Sequence, residues 1–136
     1  MLNIHDTSVL MIMFLLHLIA DYTLQGCLAN LKQAKWWDSQ IPIGMPERER
    51  YKIFQKYKND YKVGLACHSL YWSLIVCLPL LTFNGIAYMV SSIIHAVIHY
   101  VIDDMKANKR VINLIQDQAL HAIQIACIFS TWLVLK

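Results

Sequence analysis

Charge is scarce in this sequence. Asp, Glu, Lys and Arg together make up 15% of its 136 residues, where an ordinary soluble domain carries about a quarter. That shortage excludes a typical water-soluble domain of this size. Paired cysteines are also missing. Cys27, Cys67, Cys77 and Cys127 stand apart, with no C-x-x-C spacing, so neither a disulfide framework nor a zinc knuckle follows from them. They read as small apolar fillers of helices. The opening MLNIHDTSVLMIMFLL lacks a basic stretch ahead of its apolar run and a small-x-small cleavage site behind it. The run is therefore expected to be a retained segment, not a signal peptide.

What the sequence has in abundance is apolar surface, at 57% of residues. It falls into four runs, at 8–26, 63–83, 85–105 and 112–135. Each is close to the ~20 residues that cross ~30 Å of hydrocarbon as a helix. In lipid, only helices and closed barrels satisfy their own backbone groups, and long runs without alternation are helices. The expected fold is all-α, a four-transmembrane-helix bundle forming a single membrane domain over 1–136. Asn84 and Gly85 mark a tight turn between the second and third runs. The long connection, 27–62, holds Trp36 and Trp37 beside lysines, as in an interfacial anchor. It then holds PERERYKIFQKYKNDYK, whose Tyr51, Phe54, Tyr57 and Tyr61 share one helical face among Lys and Arg. This predicts an amphipathic helix lying on the cytoplasmic membrane surface, beginning at Pro46.

Eleven of the twelve Lys and Arg residues lie in 27–62 or between the third and fourth runs. Four crossings place those two loops on one side. The positive-inside rule makes that side cytoplasmic and leaves both termini outside, in an inner membrane. The expected partner is the lipid bilayer, with a lipid or another amphiphile as substrate and a homo-oligomer as a further option. No nucleic-acid partner is expected. His5 and Asp6, at the outer end, are expected to be solvated.

Ionisable residues inside the runs all fall in their cytoplasmic halves. His17, Asp21 and Gln25 are spaced i, i+4, i+8, and so are His95, His99 and Asp103. Asp117 and His121 are at i and i+4, and His68 lies near the start of the second run. Residues four apart stand one turn above another on one helix face. Polar stripes at one depth converge inside a bundle, as in di-metal helical proteins. Buried carboxylates without partners are costly, and ionisable groups within membranes are rare and usually functional. Imidazole with carboxylate suits a divalent metal: zinc first, with manganese or iron as alternatives. The set exceeds the three or four protein ligands of one zinc, so two metals, or one metal with supporting carboxylates, are expected. A metal with an open position makes a hydroxide nucleophile from water. The competing readings are interhelical hydrogen bonding and an ion or proton pathway. His95, one turn deeper, is expected to bond Ser91 or a backbone carbonyl, and Asp104 to meet solvent or Lys109.

The pieces HLIADYTLQ at 17–25, CHSLYW at 67–72, HYVIDDMK at 99–106 and DQALH at 117–121 resemble the domain-of-unknown-function family 3307. That is a family of small multi-pass membrane proteins of bacteria and phages. The resemblance covers most of the chain, and the basic insertion after the first run is its loosest part. It implies His17, Asp21, Gln25, His68, His99, Asp103, Lys106, Asp117, Gln118 and His121 as characteristic positions, and no activity. The layout is also loosely similar to membrane-bound metal-dependent hydrolases.

The reading from residues assigns His17, Asp21, His99, Asp103, Asp117 and His121 as metal ligands. It assigns His68 and Lys106 to catalysis, and Gln25 and Gln118 to cofactor binding. Lys106 and Gln118, near the water surface, are placed to hold an anionic headgroup. The expected activity is hydrolysis of a phosphoester or lipid headgroup. The alternative is a non-enzymatic membrane protein: a transport element, or a membrane-remodelling partner whose His and Asp groups are structural.

Overall fold

The computed structural model describes residues 3–136, and among them the fold is all helix. Helix α1 spans Ile4–Leu18 and continues as a π-helical turn, Ile19–Thr23. Short α2 (Leu28–Leu31) and α3 (Ala34–Ser39) follow, then α4 (Glu47–Tyr57). Helix α5 (Asp60–Val76) passes into a 3-10 turn at Leu78–Thr82, and α6 (Gly85–Ala107) and α7 (Leu114–Leu135) complete the chain.

Three helical runs are long and apolar enough to cross a membrane: Ile4–Thr23, Gly85–Ala107 and Leu114–Leu135. At 1.5 Å per residue these are about 30–35 Å long. The fourth expected span is not one continuous helix. It is 17 residues of α-helix starting at Asp60, three residues earlier than expected, and then a 3-10 turn. Pro79 accounts for the change, because it lacks an N–H for the α-helical ladder and sits in the first turn of the 3-10 segment. The bounds of the other runs shift by a few residues, to where caps lie. Asn3 and Asp6 form a capping box on α1, Asn84 caps α6 through the N–H groups of Ile86 and Ala87, and Asn113 with Gln116 boxes α7.

The ends of the helices fix their directions. Lys136, after α7, pairs with Asp6 at the start of α1. Phe83, before α6, packs on Trp132 near the end of α7, and His5 stacks on the same indole. Helices α1 and α6 therefore run the same way, and α7 runs against both. This pairing also corrects the expectation for Asp6, which is buried and not solvated. A short capping carboxylate can be sequestered because Lys136 supplies its counter-charge; His5 remains exposed.

The outer surface of the bundle is largely apolar, and the ionisable groups of its long helices lie within. Ile93, Ile94, Val97, Ile98 and Val101 on α6 face outward, while His95, His99, Ser92 and Asp103 on the same helix are buried. A water-soluble bundle shows the reverse, and this arrangement fits a lipid surround. The far half of the interior is an apolar core that includes Met13, Val76, Leu80, Ile125, Ile128 and Trp132. The near half holds the ionisable groups.

The 27–62 connection is folded against that near end. A Cβ at Gly64 on α5 would stand 2.6 Å from the carbonyl oxygen of Leu31, so only glycine lets α2 pass so close. The indole Nε1 of Trp37 donates to the same carbonyl at 2.9 Å. Asn108, after α6, donates from Nδ2 to the Lys32 carbonyl (3.1 Å) and accepts the Ala34 N–H at its Oδ1 (2.8 Å). The segment 31–34 is thus strapped over the bundle. Helix α4 begins just after Pro46 and buries none of its residues. Its Tyr57 stacks on Trp37, ring centroids 6.4 Å apart.

Candidate metal centre

Each of the four long elements supplies ionisable groups at one depth. His17 and Asp21 come from α1 and its π turn, His68 from α5, His99 and Asp103 from α6, and Asp117 and His121 from α7; all are buried. In the π turn the Leu24 N–H reaches back to the Ile19 carbonyl at 2.8 Å. The extra residue breaks the expected i, i+4, i+8 stripe: Asp21 faces the cluster, and Gln25 turns to bond the Asp21 carbonyl.

Two groups of donors emerge. Asp21, His68, His99 and Asp103 form one, and Asp103, Asp117 and His121 form the other, each with ligand atoms within 4.8 Å of one another. The individual separations are informative. His68 Nε2 lies 3.4 Å from Asp21 Oδ1 and 3.3 Å from Asp103 Oδ2. His99 Nε2 lies 3.3 Å from His68 Nε2 and 3.7 Å from Asp103 Oδ1. His121 Nε2 lies 3.5 Å from Asp103 Oδ1 and 3.4 Å from Asp117 Oδ1. Good N–H···O bonds cluster near ~2.9–3.0 Å. Donors bound at ~2.0–2.2 Å around one tetrahedral ion lie about 3.3–3.6 Å apart, since the edge is about 1.63 times the bond. The observed spacing matches the second geometry better than the first. His121 Nε2 and Asp117 Oδ1 are within ion-pair reach yet lack a hydrogen-bond partner. Orphaned buried polar atoms aimed at a common point suit a cation.

His17 stands apart. Its Nδ1 accepts from Trp72 Nε1 at 2.9 Å. Indole nitrogen only donates, so the His17 proton sits on Nε2 and is given to Gln118 Oε1 at 3.2 Å. Gln118 Nε2 in turn donates to Asp117 Oδ2 at 3.0 Å. His17, expected as a ligand, thus lies outside both donor groups, and both its nitrogens are engaged. It orients Asp117 through Gln118, as outer partners of metal sites do.

The histidine rings are stacked. Trp72 lies on His99 with centroids 4.2 Å apart, and His99 on His121 at 4.4 Å. Two lysines reach the carboxylates: Lys32 Nζ is 2.7 Å from Asp103 Oδ2, and Lys106 Nζ is 2.5 Å from Asp117 Oδ2. Lys109 pairs with Asp104 at 3.0 Å, as expected, and that hydrogen bond raises its pKa above the ordinary lysine value. His95 does not bond Ser91. Its Nδ1 has no partner, and its carbonyl accepts from Gln124 at 2.6 Å.

No family model matches this chain, and no curated protein and no solved structure matches it. The chemistry of the centre rests on its own geometry.

Sequence reasoning missed Trp72 and Lys32. Trp72 had a signal, because it lies four residues after His68 and so on the same face of α5. Lys32 had none. It is one lysine of a basic loop, and only the strap brings it to Asp103, 71 positions away.

Beside the centre is a cavity of about 380 Å³. Asp21 and Asp103 are the buried residues of its wall, Tyr22 and Arg110 are exposed at its rim, and Lys32 and Lys106 lie between.

Proposed function

We propose that this chain is a four-span inner-membrane protein of the 3307 family, with a divalent-metal centre that hydrolyses a phosphoester or lipid headgroup. The observation that carries the metal reading is the donor spacing: His68 Nε2 lies 3.4 Å from Asp21 Oδ1, 3.3 Å from Asp103 Oδ2 and 3.3 Å from His99 Nε2, the separations expected of donors on one ion. Asp103 belongs to both groups, with Oδ2 toward His68 and Oδ1 toward His99 and His121, so it would be a ligand common to both. Imidazole and carboxylate donors suit zinc, manganese or iron. A cation held there would supply hydroxide from bound water. The protein's own part is to hold the donors and to keep Asp117 oriented through Gln118 and His17. It also places Lys106 beside the rim.

What supports four crossings is direction. Helices α1 and α6 run the same way, so the chain must return through the bundle between them, and α5 with its 3-10 turn is the segment that does. Their combined rise is about 35 Å, enough for the hydrocarbon. The basic loops share the site end, which the positive-inside rule assigns to the cytoplasm, with both termini outside. Membrane-impermeant labelling of Ser39→Cys and Thr82→Cys, each in a cysteine-free chain, should modify the two from opposite faces of the membrane. Modification of both from one face removes the α5 crossing.

A second reading treats the cluster as a structural polar network. It is favoured by the lysine pairs, which already neutralise two of the three carboxylates. Elemental analysis of protein purified without chelators separates the two. Bound zinc, manganese or iron near one or two ions per chain is expected in wild type, reduced in both His99→Ala and His121→Ala. Wild type without metal leaves the structural network.

A further inference from the structure

We infer that the cavity beside the metal centre is a phosphoryl-binding vestibule, with Lys32, Lys106 and Arg110 as its cationic ligands. This rests on the metal reading above and names what the centre acts on: a phosphate-bearing group, from a lipid headgroup or a soluble phosphate.

The size is suitable, since small-molecule pockets begin near ~300 Å³, and this one is about 380 Å³. The placing of its cations is the stronger point. Lys32 is carried into the bundle by the strap that Gly64, Trp37 and Asn108 hold down, and its side chain is only 13% exposed. A lysine needed for solubility or membrane attraction gains nothing from that burial. Arg110 follows α6 in a left-handed backbone conformation, φ 55°. Glycine or asparagine adopts that conformation more readily. An arginine stands there all the same, and it lines the cavity.

Charge explains how the lysines come free. The Lys32 and Lys106 ammoniums sit on Asp103 Oδ2 and Asp117 Oδ2, oxygens of two carboxylates that belong to the donor groups. A divalent cation on these carboxylates would take up much of their negative charge and so weaken their hold on the ammoniums. Three carboxylates facing two ammoniums leave one negative charge. One divalent cation turns that into one positive charge, and the Arg110 guanidinium makes it two. A dianionic phosphoryl group restores neutrality. An uncharged carboxylic ester has no use for three cations. Guanidinium and ammonium groups bind phosphate oxygens by charge-assisted hydrogen bonds. Metal and phosphoryl group should therefore bind cooperatively.

The test is equilibrium dialysis of radiolabelled inorganic phosphate against the full-length protein in detergent, with metal content measured on the same samples. Metal-loaded wild type should bind phosphate more tightly than metal-free protein. Lys32→Met and Arg110→Gly should each weaken binding about tenfold or more. Lys32→Arg should retain it, and none should lose metal. Arg110→Gly relieves the backbone strain, so a weaker grip there is not a folding defect. Displacement of bound phosphate by vesicles containing phosphatidic acid, and not by phosphatidylcholine alone, marks a lipid headgroup as the source; no displacement marks a soluble phosphate. Metal-loaded wild type that binds no phosphate, or variants that bind it as wild type does, overturn the vestibule and leave the metal reading standing. Wild type that takes up no metal yet binds phosphate through Lys32 and Arg110 keeps the vestibule and removes the metal centre.

Discussion

Asp103→Asn should abolish stoichiometric metal binding, because Asp103 is the one residue common to both donor groups. Affinity should fall by at least about 100-fold, the upper end of what losing a mere supporting partner costs. His99→Ala removes a donor of the first group only, and His121→Ala a donor of the second only, so each should leave part of the metal in place. The asparagine variant also strands the Lys32 ammonium. Breaking a buried ion pair costs about 3–5 kcal/mol. The loss here should sit at or below the low end, since Lys32 lies beside the cavity and its stem lets the ammonium reach water. Adding Lys32→Met should restore most of that stability and none of the metal, which separates the ligand role of Asp103 from its ion pair. Metal content in Asp103→Asn equal to wild type would sink the shared-carboxylate centre.

Trp72→Ala should be the most destabilising change in the interior. The side chain is fully buried, stacks on His99 and donates to His17. Truncating a buried Trp costs about 3–5 kcal/mol. The variant also leaves His17 Nδ1 without its donor, so the Gln118–Asp117 chain loses its orientation. Unfolding in mixed micelles measures the first effect. The second shows in Trp72→Phe, which keeps most of the packing and lacks the indole N–H. There His17 should cease to be a single Nε2–H tautomer by nitrogen NMR, and metal affinity should drop about 10–100-fold. An unchanged His17 tautomer in Trp72→Phe means that the indole does not set it.

The distribution of apolar and ionisable residues was readable without coordinates. Long apolar runs must be helical in lipid, since no other local structure satisfies the backbone there. A period of four puts His99 over Asp103 and Asp117 near His121 whatever the bundle does. Within a span, such facts are local. The fourth expected span was half legible: its apolarity pointed to a buried helix, but Pro79 ended the α-helix at Val76 and a 3-10 turn carried the chain on. The π turn was not legible, because it depends on whether an N–H reaches back to the i−4 or the i−5 carbonyl and not on residue type.

The sequence by itself determined helix content, the apolar surround, the shared depth of the polar groups and the crowding of basic residues at one end. Each follows from composition and period within one segment. Tertiary structure decided which groups meet. It set His17 aside as a support for Asp117, gave Asp103 to two donor groups, buried Asp6 against Lys136 and drew Lys32 out of a basic loop onto a carboxylate. The reason is that a donor set is a matter of distances of a few ångströms between atoms of separate helices. Those distances depend on helix rotation, on close approaches such as Leu31 over Gly64, and on side-chain reach, none of which a single segment encodes.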